Sequence, residues 1–463
     1  MRRGALAPLA AVAVGAAALA TSPAAQVAVT DVSCAVPAGP LDRAPAPTRP
    51  TARVAWPADS PVWELDVYRP ANRTTVNGAG LELRDVRYRG RKVLDRAGVP
   101  VLNVEYDPGA GCGCFRDWQF DEAPVDIGPA EPFASCLALA PAGAVRAACE
   151  ANAGLGPAEQ GRDVGAFEGV AVEDYGDELV LTAHMEAGWY RYRMKWHLYA
   201  DGRIWPEFSF AAVEGVCTQS DHRHHAYWRF DFDLEGTPLD DVVREHAGGA
   251  AQALGVEAAR LAGPGTFWSV TDRLTGAGYE VHPGEADLRL PADPFSKADA
   301  LVLRYKLDEL DDGLTVQTGC AFAFEPFVDG EGLDGADVVF WYRSGALHTG
   351  GDPYECDVVG PMLRPVGWAP RVPGAAGAEV EAARPNPFSG STTVRFRVLE
   401  AQRVEVALYD ALGRRVRALW SGRAGAERYE TVRVEGRGLP AGTYVVRLEG
   451  ETARGSARVV LVR

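Results

Sequence analysis

The sequence predicts a mainly β protein, a large antiparallel β-sandwich followed by a small Ig-like β-sandwich. Three observations carry this. Short alternating apolar segments recur through the middle of the chain, bounded by Gly, Pro, Asp and Asn. Proline-rich stretches bracket that body on both sides. The last 80 or so residues repeat the alternating pattern on their own.

Taken in order, Met1 to about Ala25 places Arg2 and Arg3 before an Ala/Val/Leu-rich run and small residues, the layout of a secretory signal peptide. Residues 26–60 hold Pro37, Pro40, Pro45, Pro47, Pro50 and Pro57 with little apolar periodicity, and read as a linker. The body is expected over residues 61–371, with strands near 81–88, 179–183, 190–199, 204–210, 301–305 and 338–342. Two Ala-rich stretches, 134–153 and 240–261, alternate less and are expected to be helical. Residues 372–383 form a second Pro/Gly/Ala linker. Residues 384–463 then carry strands near 394–398, 404–409, 429–434, 444–448 and 457–462.

A chain of 463 residues is long enough for two or three domains. Its net charge of -16 disfavours nucleic acid and anionic lipid as partners. No apolar run beyond the leader reaches the roughly 18–20 residues that span a bilayer. The eight cysteines, an even number in an exported chain, point to disulfides whose pairing the spacing leaves open.

The densest chemistry lies in residues 221–233, DHRHHAYWRFDFD, with three of the eight histidines. In an extended strand His222 and His224 share one face, continued by Ala226, Trp228, Phe230 and Phe232, while His225 points the other way. Two imidazoles against an apolar interior suit copper or zinc. The pattern alone is equally that of a His-rich surface turn leading into a core strand.

Longer blocks extend this reading. GLELRDVRYRGRKVLDRAGVPVLNVEYDP, HLYADGRI, HRHHAYWRFDFD and DVVFWYRSGALH together resemble a shortened copper amine oxidase catalytic domain. The resemblance implies a copper amine oxidase-like β-sandwich with His222, His224 and His348 as copper ligands. It implies that Tyr190, twelve residues before Gly202, becomes a topaquinone by copper and oxygen. Tyr106 would then position the quinone, and Asp121 would take the substrate's α-proton, with Asp117 and Asp107 as substitutes. It also implies a calcium-like site on Asp231, Asp233 and Asp337 with the carbonyls of Phe232 and Val338. The implied reaction turns a small primary amine, oxygen and water into aldehyde, ammonia and hydrogen peroxide, in a homodimer. The alternative is an exported copper-binding β-sandwich that keeps the fold without the quinone. The family's Thr-x-x-Asn-Tyr-Asp/Glu pattern reads Glu186-Ala187-Gly188-Trp189-Tyr190-Arg191 here.

The tail blocks ARPNPFSGSTTVRF, VEVALYDALGRRVRAL and GLPAGTYVVRL resemble the C-terminal sorting domain of type IX secretion. That resemblance implies a secreted or cell-surface protein that engages the type IX machinery.

Overall fold

The computed structural model describes residues 27–36, 49–72, 80–148, 163–212, 216–287, 297–306, 317–318, 321–322, 324–350, 358–368, 378–380 and 383–462, apart from a few gaps of one to three positions within them. The expected signal peptide, residues 37–48 and most of the expected 372–383 linker lie outside these residues. The described part of the expected 26–60 linker belongs instead to the body: Ala28–Thr30 and Ala52–Trp56 are strands of the first sheet, Ala52, Val54 and Trp56 are buried, and Cys34 is bonded to Cys136, so sheet pairing and burial override the proline-rich composition. Contacts divide the chain into two compact units, Met1–Trp368 and Ala369–Arg463.

The first unit is built on two sheets. One orders its strands Ala28–Thr30, Ala52–Trp56, Trp63–Tyr68, Glu82–Tyr88, Arg91–Tyr106, His222–Phe232, Val338–His348, Ala300–Arg304 and Ala258–Arg260, with Cys114–Asp117 pairing beside Arg91–Tyr106. The other runs Ala250–Ala253, Asp241–Ala247, Phe267–Asp272, Gly278–His282, Met362–Val366, Ile204–Ala212, Tyr190–Tyr199, Glu178–Ala187, Val170–Asp174, Leu137–Pro141 and Pro132–Ala134. Their pairing is antiparallel except between Leu137–Pro141 and Val170–Asp174.

The alternation read from the sequence decides what faces inward. Trp228, Phe230 and Phe232 of one sheet and Tyr192, Met194, Trp196 and Leu198 of the other belong to one buried cluster. Trp196 meets Trp228 edge-on at 5.5 Å between ring centroids. Each such aromatic side chain contributes about 2–3 kcal/mol by leaving water.

Both stretches expected to be helical open instead as strands. Residues 134–141 join the second sheet, and the Cys34–Cys136 disulfide pins them there. Residues 241–260 form three strands, two of them joined by a hairpin turn at Gly248 and Gly249 with φ of 57° and 83°. Adjacent positive-φ glycines are a primed-turn signature, and sheet pairing overrides the weak helical preference of alanine.

The second unit pairs a three-stranded sheet (Ala378–Val380, Ser391–Val398, Glu430–Glu435) with a four-stranded one (Arg415–Ala424, Gln402–Asp410, Gly442–Gly450, Arg454–Leu461). Its own core includes Phe388, Phe396, Leu408, Val434, Val446 and Leu461. The Arg415–Ala424 strand escaped the sequence reading, because three arginines and a glycine among its residues obscure the alternation.

Gly202 closes the turn between Tyr190–Tyr199 and Ile204–Ala212 with φ of 96°, and a Cβ there would stand 2.7 Å from the Tyr88 ring. Gly202→Ala should therefore cost about 1–3 kcal/mol through backbone strain and the ring clash. A lowered urea midpoint measures this, and an unchanged midpoint would contradict it.

Candidate functional site

Three adjacent strands of the first sheet set the floor of the site. Antiparallel pairing places His222 opposite Tyr106 on one side and opposite His348 on the other. His224, two residues on, shares the inner face of His222, and all three histidines are buried. The His222 ring lies 5.2 Å from His224 and 4.7 Å from His348 between centroids. The second sheet supplies the roof. Tyr190 stands edge-on to His224 at 4.7 Å, Phe210 lies 3.6 Å from the same ring, and Tyr192 stacks beside Tyr190 at 5.7 Å.

Hydrogen bonds fix the imidazole tautomers. His222 Nδ1 lies 2.7 Å from the Ser220 carbonyl, which only accepts, so Nδ1 carries the proton and Nε2 keeps its lone pair. Tyr192 donates its hydroxyl proton to Asp117, so His224 Nδ1, 3.2 Å from Tyr192 Oη, is the donor of that contact. The Nε2 atoms of His222 and His224 are thus bare, buried and without a hydrogen-bond partner. Burial lowers the His222 pKa to about 4 and that of His224 well below the usual value, so both rings are neutral at pH 7. Neutral imidazoles with exposed lone pairs fit a borderline metal. The three rings do not yet converge: among the described residues, the set of three found with ligand atoms within 4.8 Å of one another is Glu257, Asp329 and Glu331.

Tyr106 Oη and Tyr190 Oη lie 2.7 Å apart, although 84 residues separate them in sequence. Burial, with Tyr106 next, raises the Tyr190 phenol far above its ordinary range. Asp117 is partly buried as a residue, but its carboxyl is enclosed, and burial raises it to about 6 against the lowering effect of the Tyr192 hydroxyl. Its charge raises both Tyr106 and Tyr190. Asp121 is exposed. Asp107 accepts from Arg223 at 3.2 Å. Arg191 turns away from the cluster to a two-pronged pair with Asp163, at 2.6 and 3.2 Å. His225 lies on the opposite strand face, 3.2 Å from Arg343.

The expected hard-cation residues also draw together. Asp231 accepts from Arg229 at 3.0 Å and Asp233 from Lys92 at 2.7 Å. Asp337 is raised to about 7, by burial first and then by Asp231 and Asp233. Asp241, which the sequence reading did not single out, is raised to about 8 by burial, then by Asp233, Asp272 and Asp337. Tyr192 was missed too, although its position two residues after Tyr190 on a strand puts it on the same face. Glu257, Asp329 and Glu331 give no signal in sequence beyond the Asp-x-Glu pair. Glu257 already accepts from the backbone of Arg304, Asp329 and Glu331.

A disulfide braces the rim. Cys112–Cys217 joins the turn after Tyr106 to the turn before His222, where Asp107 N also donates to Asp221 O at 3.0 Å. Cys114 is disulfide-bonded as well.

Residues 383–462 match the family described as a secretion system C-terminal sorting domain, which marks the chain for export to the cell surface or the medium. No curated protein matches the chain. Among solved structures it is similar to an Aspergillus nidulans amine oxidase (16% identity, TM-score 0.47, covering 69% of this chain and 52% of that one). It is also similar to a Pichia pastoris lysyl oxidase (14%, 0.46, 68% and 52%) and a copper-containing benzylamine oxidase from Hansenula polymorpha (13%, 0.45, 72% and 63%). The chain thus spans about half to three fifths of the length of these proteins.

The neutral histidines set a pH dependence. An unfolded imidazole takes up its proton near 6.5, and buried His222 only near 4, so between these values the unfolded chain binds more protons. Metal-free protein should lose stability as pH falls through that window, by up to about 3 kcal/mol for His222 alone. Urea midpoints at pH 7 and pH 4.5 check this, and His222→Gln should flatten the slope.

Proposed function

We propose that the protein is an exported copper and topaquinone primary-amine oxidase, delivered by type IX secretion machinery. The observation that carries the reading is the meeting of Tyr106, Tyr190, His222, His224 and His348 in one buried cluster, from four strands in two sheets. When bound, copper with oxygen would supply the oxidation of Tyr190 to the quinone, and the quinone the carbonyl that takes up a primary amine.

The chain's own residues do the rest. His222, His224 and His348 hold the metal, the first two through Nε2. Tyr106 holds the Tyr190 oxygen by a hydrogen bond. Phe208 and Phe210, both buried, keep water from the rings. The proton acceptor is Asp117 in preference to Asp121. An enclosed carboxyl near 6 is ionised at pH 7 yet far more basic than an exposed one, which is what α-proton removal needs. The Tyr192 hydroxyl keeps it from rising further. Asp231, Asp233 and Asp337, with the carbonyls of Phe232 and Val338, hold a hard cation at a distance from this chemistry.

The other reading, an exported copper-binding β-sandwich without the quinone, is favoured by one observation: Trp189 and Arg191 flank Tyr190 where the resembled pattern has an asparagine and an acid.

Copper loading in air followed by a hydrazine probe separates the two. A carbonyl adduct on Tyr190 is expected, and copper-loaded protein with unmodified Tyr190 leaves only the second reading. Asp117→Asn should slow reduction by amine about 10²–10⁴-fold with copper retained, while Asp121→Asn should change it little. The wild-type reduction rate should rise with pH through about 6 as Asp117 ionises.

A further inference from the structure

We infer that Trp189 is a positioning residue for the Tyr106–Tyr190 pair: its indole N–H ties the hairpin of one sheet to the tyrosine of the other and so fixes where Tyr190 stands. The inference rests on the proposed chemistry of Tyr190.

The local backbone puts Trp189 there. Gly188 and Trp189 are the two turn residues between Glu178–Ala187 and Tyr190–Tyr199, with Ala187 paired to Tyr190. Gly188 takes φ of 57°, which a two-residue hairpin favours at its first central position. The turn leaves Trp189 half-buried between Phe115 at 6.3 Å and Tyr190 at 6.4 Å, both edge-on. Its Nε1 lies 2.9 Å from Tyr106 Oη.

The consequence follows from counting donors and acceptors. An indole N–H only donates, so one lone pair of Tyr106 Oη is committed to Trp189. The remaining lone pair and the single proton of Tyr106 are then confined to few directions, and the 2.7 Å contact to Tyr190 Oη uses one of them. Tyr106 is fixed from a second side by its own strand, where it pairs with His222 and packs on that ring at 5.3 Å. Trp189, Tyr106 and Tyr190 therefore form a chain of hydrogen bonds spanning both sheets, with the reacting ring at its end. A side chain that merely filled the space of the indole would leave Tyr106 free to turn its proton away.

Trp189→Phe removes the N–H and keeps an aromatic ring. Copper stoichiometry should be unchanged, and the yield of hydrazine-reactive carbonyl should fall about five-fold, the equivalent of one hydrogen bond. Trp189→His, which keeps a ring N–H, should recover part of it. Trp189→Phe combined with Tyr106→Phe should be no worse than Tyr106→Phe alone, since both break one chain. Multiplying effects, or a Trp189→Phe yield equal to wild type, would overturn the inference. If copper-loaded wild-type protein formed no carbonyl, the oxidase reading would fail. The tie is then read on metal-free protein labelled with ¹⁵N-tryptophan. The indole signal absent from Trp189→Phe should exchange slowly with solvent in wild type and fast in Tyr106→Phe, and equal rates in the two would overturn it.

Discussion

The pairing register of three central strands is the constraint on which everything at the site depends. Tyr106, His222 and His348 come from strands that begin at residues 91, 222 and 338, and only one alignment sets them side by side on the inner face. Side chains alternate strictly along a strand, so slipping His222–Phe232 by one residue would send His222 and His224 outward. It would also expel Trp228, Phe230 and Phe232 from the core. Losing several buried aromatics costs far more than any slip gains, so the hydrophobic pattern that builds the sandwich also holds the histidines in register.

The same burial makes the polar groups costly and therefore informative. A polar atom left unpaired in an apolar interior costs about 1–3 kcal/mol. The Nε2 atoms of His222 and His224 bear that cost, whereas their Nδ1 atoms are satisfied by Ser220 and Tyr192. The selective satisfaction of one nitrogen leaves the other with its lone pair unused. Where acids crowd near Asp337 and Asp241, burial and mutual repulsion push pKa values up instead, and a bound cation would relieve both.

Much of the fold was legible because it is carried by local signals. Residues 190–199 were read as a strand with the bounds they have, since apolar and polar residues alternate there without interruption. The pairs His222/His224 and Asp231/Asp233 followed from the same period of two. What was not legible depends on long-range pairing. Alanine at 134–141 carries no strand preference, and becomes strand only because Val170–Asp174 lies beside it. Asp117 and Asp121 are four residues apart in one acidic and aromatic stretch, and nothing local says which carboxyl will be enclosed. The contact of Trp189 with Tyr106 joins two sheets across 83 residues, beyond the reach of any periodicity.

The Cys112–Cys217 disulfide gives this architecture a sense of direction. It closes a separation of 105 residues, and in a chain-entropy view such a cross-link removes about 4–5 kcal/mol of freedom from the unfolded chain. The two strand ends that it fastens are those bearing Tyr106 and His222. Thiols stay reduced in the cytoplasm, so the bond forms only once the chain has left it. Synthesis and maturation are thereby separated in space: the newly made chain is a looser molecule than the exported one, and crossing the membrane is itself the step that hardens the rim of the histidine cluster.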